Sequence, residues 1–166
     1  PKVIHQTWKT EELPERWRAS RQQCMDLHPD YEHILWTDAK SRAFIAEHYS
    51  WFLPTFDAYP YAIQRADAIR YFVLHRYGGI YMDLDMGCAR NLDPLLRFEV
   101  VLPKTIPVGV SNDLIFATKG HPFVEQLIHS LQAFNHVFFT HYATVMFSTG
   151  PMFCLLYTSD AADEGL

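Results

Sequence analysis

Between Tyr61 and Tyr77 the apolar residues Ala62, Ile63, Ala66, Ile69, Val73 and Tyr77 return every three to four positions, with Pro60 just before them and Gly78 just after. That period and those boundaries predict a helix over 61–77. A short unbroken apolar run follows, Ile80 to Leu84, which reads as a buried strand. Other short runs predict strands at Val3 to Gln6, Glu32 to Trp36, Val100 to Leu102, Val108 to Val110 and Leu114 to Ala117. Helical spacing predicts helices at Glu15 to Leu27 after Pro14, at Asp38 to His48 begun by Thr37 or Asp38, and at Pro122 to Phe134, with a turn of helix at Trp51 to Phe56. Strands and helices alternate from the outset. The expected fold is therefore α/β, of the nucleotide-binding kind, with ligands at the C-terminal ends of the strands.

The junction of the long helix and its strand carries the chemistry. Gly78-Gly79 permits a tight turn, and Asp83 and Asp85 follow two residues apart. On a strand such side chains share a face about 6 to 7 Å apart. Two anions so placed repel, and a divalent cation removes the penalty. Carboxylate oxygens select a hard ion, Mn2+ or Mg2+, and two protein ligands leave coordination places for substrate phosphates. A pair of aspartates that merely caps a turn is the bland alternative. A helix-loop-helix calcium site fails, because it needs Asp or Asn where this chain has Gly87 and a glycine where it has Cys88. A phosphatase that uses the first aspartate as a nucleophile is a weak competitor, because it usually carries Thr or Val where this chain has Gly87. On the preceding helix Asp67 and Arg70 are neighbours by their spacing of three, with Gln64 one turn earlier. Flanked by Ile63, Ala66, Ile69 and Val73, this polar group suits phosphate or sugar hydroxyl recognition.

The ordered set Asp67, Arg70-Tyr71, Leu74, Gly78-Gly79, Tyr81, Asp83 and Asp85 resembles the signature of glycosyltransferases with a D-x-D sugar-binding region, glycosyltransferase family 32. Pro1 to Trp8, His28 to Tyr31, Leu35 to Asp38, Ser111 to Asp113, His121-Pro122 and Ser148 to Pro151 fall in that family's order. Gln64 to Tyr71 and Asn91 to Leu96 are most similar to fungal mannosyl phosphorylinositol ceramide synthase catalytic subunits. Met86 departs from that subgroup, which carries an acidic residue there.

The resemblance implies a GT-A-like fold, a central mixed, mainly parallel sheet flanked by helices. It implies a retaining, metal-dependent transfer of mannose from GDP-mannose to inositol phosphorylceramide, in the Golgi lumen of a membrane-anchored protein. Two alternatives stand beside it: an initiating mannosyltransferase acting on protein glycans, and a non-catalytic nucleotide-sugar-binding regulatory subunit. Under the first reading Asp85 binds the metal, Asp83 the metal or the ribose, Asp67 and Arg70 the donor sugar and diphosphate, and Trp8 stacks on the base. Asn112 and Asp113 are expected at the same cleft, against the transferred sugar or the acceptor, with a plain turn as the other reading. No nucleophile is evident, so an oxocarbenium-like transition state is expected, with Arg70 and the metal stabilising the departing diphosphate. A regulatory subunit and a membrane surface are the further partners implied.

Composition narrows this little further. At 166 residues and 49% hydrophobic content, one domain is the expectation. A net charge of −5 with scattered Lys and Arg argues against a nucleic-acid partner. No run of 18 apolar residues occurs. Cys24, Cys88 and Cys154 lack metal spacing and cannot all pair, which leaves the redox compartment open. Tyr49, Trp51, Phe52, Phe56, Tyr59 and Tyr61 form an aromatic group suited to core packing or to a lipid headgroup. The chain begins at Pro1 without a methionine, so a preceding anchor is expected to have been removed. Residues 154–166 read as translated sequencing adapter, which leaves 1–153 as an incomplete catalytic domain.

Overall fold

In a computed structural model, which describes residues 1–106, 109–137 and 139–156, five strands make one sheet. These are β1 (Val3–Trp8), β2 (Glu32–Thr37), β3 (Gly79–Met82), β4 (Val100–Val101) and β5 (Leu114–Ala117), in the order β2-β1-β3-β5-β4. Helix α1 (Glu15–Leu27) crosses from β1 to β2, which lie parallel. Helices α2 (Asp38–His48), α3 (Leu53–Ala58) and α4 (Ala62–Tyr77) then carry the chain back over β1, and β3 adds to its far side, again parallel. The order reverses at β1, and such a switch point opens a crevice at the carboxyl ends of β1 and β3. Trp8 and Asp83 stand there.

Beyond β3 the sheet is antiparallel, β5 against β3 and β4 against β5. Two of the four strand pairings are parallel and two antiparallel, so the sheet is mixed, as the resemblance implies. The reason is the connection: between Met82 and Leu114 the described residues contain a 3-10 turn, Asp93–Arg97, and no helix long enough for a crossover. Side chains alternate across the sheet with period two. Ile80, Met82 and Phe116 enter a smaller core under α1 with Ile4 and Tyr31, while Tyr81, Ile115 and Ala117 enter the larger core with α2, α4 and α5.

Helix α4 is the centre of the molecule. It packs against β1, β3 and β5 on one side and against α2, α5 (Pro122–Ser130) and α6 (His141–Ser148) on others. Its residues from Asp67 to Leu74 are all buried, polar ones included. Gly78 ends it at φ +68°, and Gly79 follows at φ +98°. A Cβ on Gly79 would lie 2.5 Å from the Val3 carbonyl oxygen, so only glycine brings β3 this close to β1.

Several boundaries differ from the sequence reading. β1 runs on to Trp8 because pairing with β2 continues to Thr37. α3 starts at Leu53, and α5 ends at Ser130 in turns instead of reaching Phe134. Val108 lies outside the described residues, and Val110 makes only an isolated bridge with Lys104. α6 was not foreseen; its N-cap is Thr140, whose hydroxyl accepts from the Ala143 amide. Residues 151–156 are helical, with Cys154 buried beside Tyr71, and 157–166 lie outside the described residues. Tyr49, Phe52, Phe56 and Tyr59 are core residues, while Trp51 is 40% exposed and stacks on His129. Cys24 and Cys88 form a disulfide joining α1 to the loop after β3, and Cys154 is a free thiol. Among the described residues no helix is long and apolar enough to cross a membrane.

Candidate functional site

At the switch point lies a cavity of about 790 Å³, lined by Thr7, Trp8 and Lys9 at the end of β1, by Trp17, Trp36 and Asp38, by Ala62, Ile63, Arg65, Ala66, Ile69 and Arg70 of α4, and by Asp83, Leu84 and Asp85. The sequence reading placed Asp83 and Asp85 on a strand. The strand in fact ends at Met82, and the Met86 amide donates to the Asp83 carbonyl, which closes a turn over the two aspartates. The partner strand causes this: the Asp83 amide donates to the Asp113 carbonyl, and β5 begins only at Leu114. Both carboxylates nonetheless face the one cavity that Arg70 also lines.

Arg70 is held on every side. One terminal nitrogen donates to the Asn112 carbonyl at 2.5 Å. The other lies 2.6 Å from Asp67 and 3.6 Å from Asp83, and the guanidinium sits 4.7 Å from the Tyr81 ring centre. Burial works against its charge, but Tyr81, Asp67 and Asp83 outweigh it and hold its pKa above the ordinary value. Asp67 also accepts from the Thr149 hydroxyl at 3.2 Å, and burial, opposed by Arg70, raises its pKa. Asp67 does not line the cavity, so its carboxylate meets Arg70 and Thr149 and not the space a donor sugar would fill.

Asn112 and Asp113 likewise stand behind the cavity and not in its wall. The Asn112 amide donates to the Tyr71 hydroxyl at 3.3 Å while its carbonyl fixes Arg70. Asp113 supports the turn through its backbone, and its Oδ1 is buried without a hydrogen-bond partner. Tyr81, on β3, donates to Asp83 at 2.7 Å and lies 2.9 Å from the Thr7 hydroxyl, which therefore donates to it. Burial raises the Asp83 pKa; Arg70 and Tyr81 pull it back, and Asp85 and Asp113 push it up again.

This donor set suits a hard divalent cation. Asp83 and Asp85 both line the cavity and Asp85 acts on Asp83 as a like charge, so a positive charge between the two relieves the repulsion. Among the described residues no cluster of three or more His, Cys, Asp or Glu side chains could enclose a metal. Asp83 and Asp85 are the two neighbouring carboxylates of the cavity wall that could hold such an ion, and two ligands leave coordination places open. Trp8 reaches the cavity as expected. Trp17, Trp36, Asp38, Arg42, Asp57 and Arg65 reach it too, and the sequence reading gave none of them a site role. Their signal was weak, since each also suits an ordinary helix, strand or surface pair. Arg42 and Asp57 do pair at 2.7 Å.

The model of the family described as "Glycosyltransferase sugar-binding region containing DXD motif" matches residues 14–102. Inositol phosphoceramide mannosyltransferase 3 of Schizosaccharomyces pombe is 54% identical over 153 residues, 92% of this chain and 43% of that protein. Mannosyl phosphorylinositol ceramide synthase SUR1 of Saccharomyces cerevisiae is 56% identical over 153 residues, 92% of this chain and 40% of that protein. The chain therefore spans less than half the length of these relatives. Among solved structures, PaToxG glycosyltransferase superposes with a TM-score of 0.72 at 20% identity, covering 96% of this chain and 69% of the other. At that identity the likeness establishes the GT-A fold and nothing finer.

Proposed function

We propose, from the premise that this chain belongs to the family of glycosyltransferases with a DXD-containing sugar-binding region, that it is the nucleotide-sugar-binding part of a retaining mannosyltransferase using GDP-mannose and inositol phosphorylceramide. One observation carries the reading: Asp83, Asp85 and a buried, permanently charged Arg70 converge on a single cavity at the sheet's switch point. The choice of mannose and of the lipid acceptor rests on the names of the relatives above. A cavity of about 790 Å³ is large enough for a sugar nucleotide.

Asp85 and Asp83 would hold Mn2+ or Mg2+, which when bound supplies positive charge to the donor's diphosphate. The chain's own residues do the rest. Arg70 adds fixed positive charge at the cavity floor, where negative charge grows on the departing diphosphate. Tyr81 and the Asp113 backbone hold Asp83 in place, and the Asn112 backbone carbonyl and Asp67, itself held by Thr149, hold Arg70. Trp8, Trp17 and Trp36 offer flat apolar surfaces for the base and ribose and keep water from them. The bond from the sugar's anomeric carbon to the diphosphate oxygen breaks, the acceptor oxygen bonds to that carbon, and the acceptor's proton passes to the departing diphosphate. The Cys24–Cys88 disulfide fits an oxidising compartment, in keeping with a Golgi lumenal enzyme. The catalytic domain is taken as residues 1–153.

Calorimetry of GDP-mannose against UDP-glucose and UDP-galactose, with and without Mn2+, tests the reading. GDP-mannose binds tightest, Mn2+ strengthens it, and Asp85→Ala abolishes the metal's effect. Equal binding by Asp85→Ala refutes the site. Transfer to inositol phosphorylceramide beside an N-glycan separates the lipid acceptor from a protein glycan, and donor binding with no transfer to either selects a regulatory subunit.

A further inference from the structure

From Gln126 to Ser159 the chain has no Asp, Glu, Lys or Arg, although these make up 20% of its residues. Part of this uncharged stretch lies on the surface. Val137 and Tyr142 are each 74% exposed, and Phe139 is fully so. They belong to α6 and the segment leading into it, and α6 packs on the first turns of α4: the Gln64 amide donates to the Ser148 hydroxyl at 2.8 Å. The Tyr61 and His141 rings meet with centroids 3.9 Å apart. Tyr61 immediately precedes Ala62 and Ile63, which line the cavity, and Ile63 is itself 46% exposed. An uncharged, partly aromatic edge therefore starts at the cavity rim and runs through Tyr61 and His141 to Tyr142 and Phe139.

We propose that this edge docks on a lipid bilayer and sets the cavity mouth against it. The inference rests on the lipid-acceptor reading above. An acceptor with long hydrocarbon chains stays in the bilayer, because each methylene withdrawn into water is unfavourable. The enzyme must therefore bring its cavity to the headgroup, and the surface that meets the bilayer must adjoin the cavity mouth. Of the surfaces there, the α6 side brings no charged side chain of its own to the interface, whereas Lys9, Asp38, Arg42 and Asp57 line the cavity elsewhere. Tyr and His there have an apolar body and a polar tip, which suits the headgroup level. The chain's net charge of −5 gives no attraction to an anionic surface. Binding thus comes from burial of Val137, Phe139 and Tyr142 in a neutral interface, not from counter-ion pairing.

The test is co-sedimentation with phosphatidylcholine vesicles, in the absence of donor, at low and high salt, on the wild type and on Phe139→Asp/Tyr142→Asp. The wild type partitions to vesicles with little dependence on salt. The double variant partitions at least ten-fold less, with unchanged GDP-mannose binding and thermal midpoint. If the Tyr142 change lowers the midpoint, Val137→Asp alone gives the same readout from a residue outside α6. Absence of wild-type partitioning, partitioning abolished by salt, or equal partitioning by the variants overturns the proposal; so does a wild type that self-associates through this edge instead of binding vesicles. Vesicle binding lost on substitution in a protein that never binds GDP-mannose leaves the lipid edge standing and sinks the donor reading.

Discussion

Asp67→Asn separates a carboxylate that touches the donor from one that works through Arg70. The side chains of Asp67 and Arg70 are 7% and 4% exposed and lie 2.6 Å apart. Removing one partner of a buried pair costs about 3 to 5 kcal/mol, because the other charge is left uncompensated. Here Asn keeps a neutral acceptor in place, while Asp83 at 3.6 Å and the Asn112 carbonyl still meet the guanidinium. The low end, about 3 kcal/mol, is therefore expected. For a chain of this size that lowers the thermal midpoint by about 6 to 12 °C. Activity, read as kcat/KM for GDP-mannose turnover, falls as Arg70 loses its fixed orientation. The deciding measurement is the cycle with Arg70→Gln. If Asp67 acts only through Arg70, Asp67→Asn adds no further activity loss to Arg70→Gln. Losses that add in full, or an Asp67→Asn midpoint within 2 °C of wild type, refute this positioning role.

Five further outcomes follow from the same structure. Thiol titration of the denatured, unreduced protein should find one reactive cysteine, Cys154; three would refute the Cys24–Cys88 bridge. Replacing both bridge cysteines with Ser should lower stability by up to about 4 kcal/mol, since the bridge spans 64 residues. His5, whose Nδ1 accepts from the Trp36 indole and whose Nε2 therefore donates to the Gly78 carbonyl, is pushed by burial down to about 4. Its contribution is present above its ordinary pKa near 6.5 and fades as pH falls to about 4, a loss of about 3 kcal/mol; His5→Gln should flatten the urea-derived stability in that window. Asp83 has the opposite sign: its raised pKa favours the protonated folded form, and that advantage is lost as pH rises through the raised value. Mn2+ should accordingly raise the thermal midpoint more at pH 7.5 than at pH 5. Gly79→Ala should fail to yield soluble protein, because its Cβ meets the Val3 backbone at a φ of +98°. A wild-type melt for that variant would overturn the account of the β1–β3 contact.

The parts of this site that could be read from the chain are those fixed by local periodicity. A spacing of three on a helix makes Asp67 and Arg70 neighbours whatever surrounds them, and Gly78-Gly79 can end α4 only by turning. What could not be read depends on partners far away in sequence. The reach of β3 was misjudged because strand length is set by the neighbour: β5 pairs back only to Leu114, so Asp83 and Asp85 fall in a turn and not on a ladder. Asn112, 42 residues from Arg70, was placed in the cleft by its position after a supposed strand. The structure gives its carbonyl to Arg70 and its amide to Tyr71. Thr149 reaches Asp67 from 82 residues away, and no pattern near either residue announces it.

These distant supports have a common consequence. Arg70 and Asp83 each take a backbone group from the segment before β5, the Asn112 carbonyl for one and the Asp113 carbonyl for the other. The end of the cavity that carries Arg70 and Asp83 is thus built across the antiparallel β3–β5 pair, while its tryptophan-rich end is built on the parallel β1–β2 side, from Trp8 and Trp36. Changes in residues 111–113 should therefore weaken charge stabilisation at the diphosphate with little effect on how the base is held. The turn that carries Asp83 and Asp85 has an anchor of its own outside that pair, since the Ser20 hydroxyl of α1 donates to the Met86 carbonyl and the disulfide fixes Cys88 to the same helix. Asp85, in the turn tied to α1, and Arg70, tied to the segment before β5 and through Asp67 to Thr149, are held by separate parts of the fold, and the geometry between them depends on the short β3 strand that joins the two.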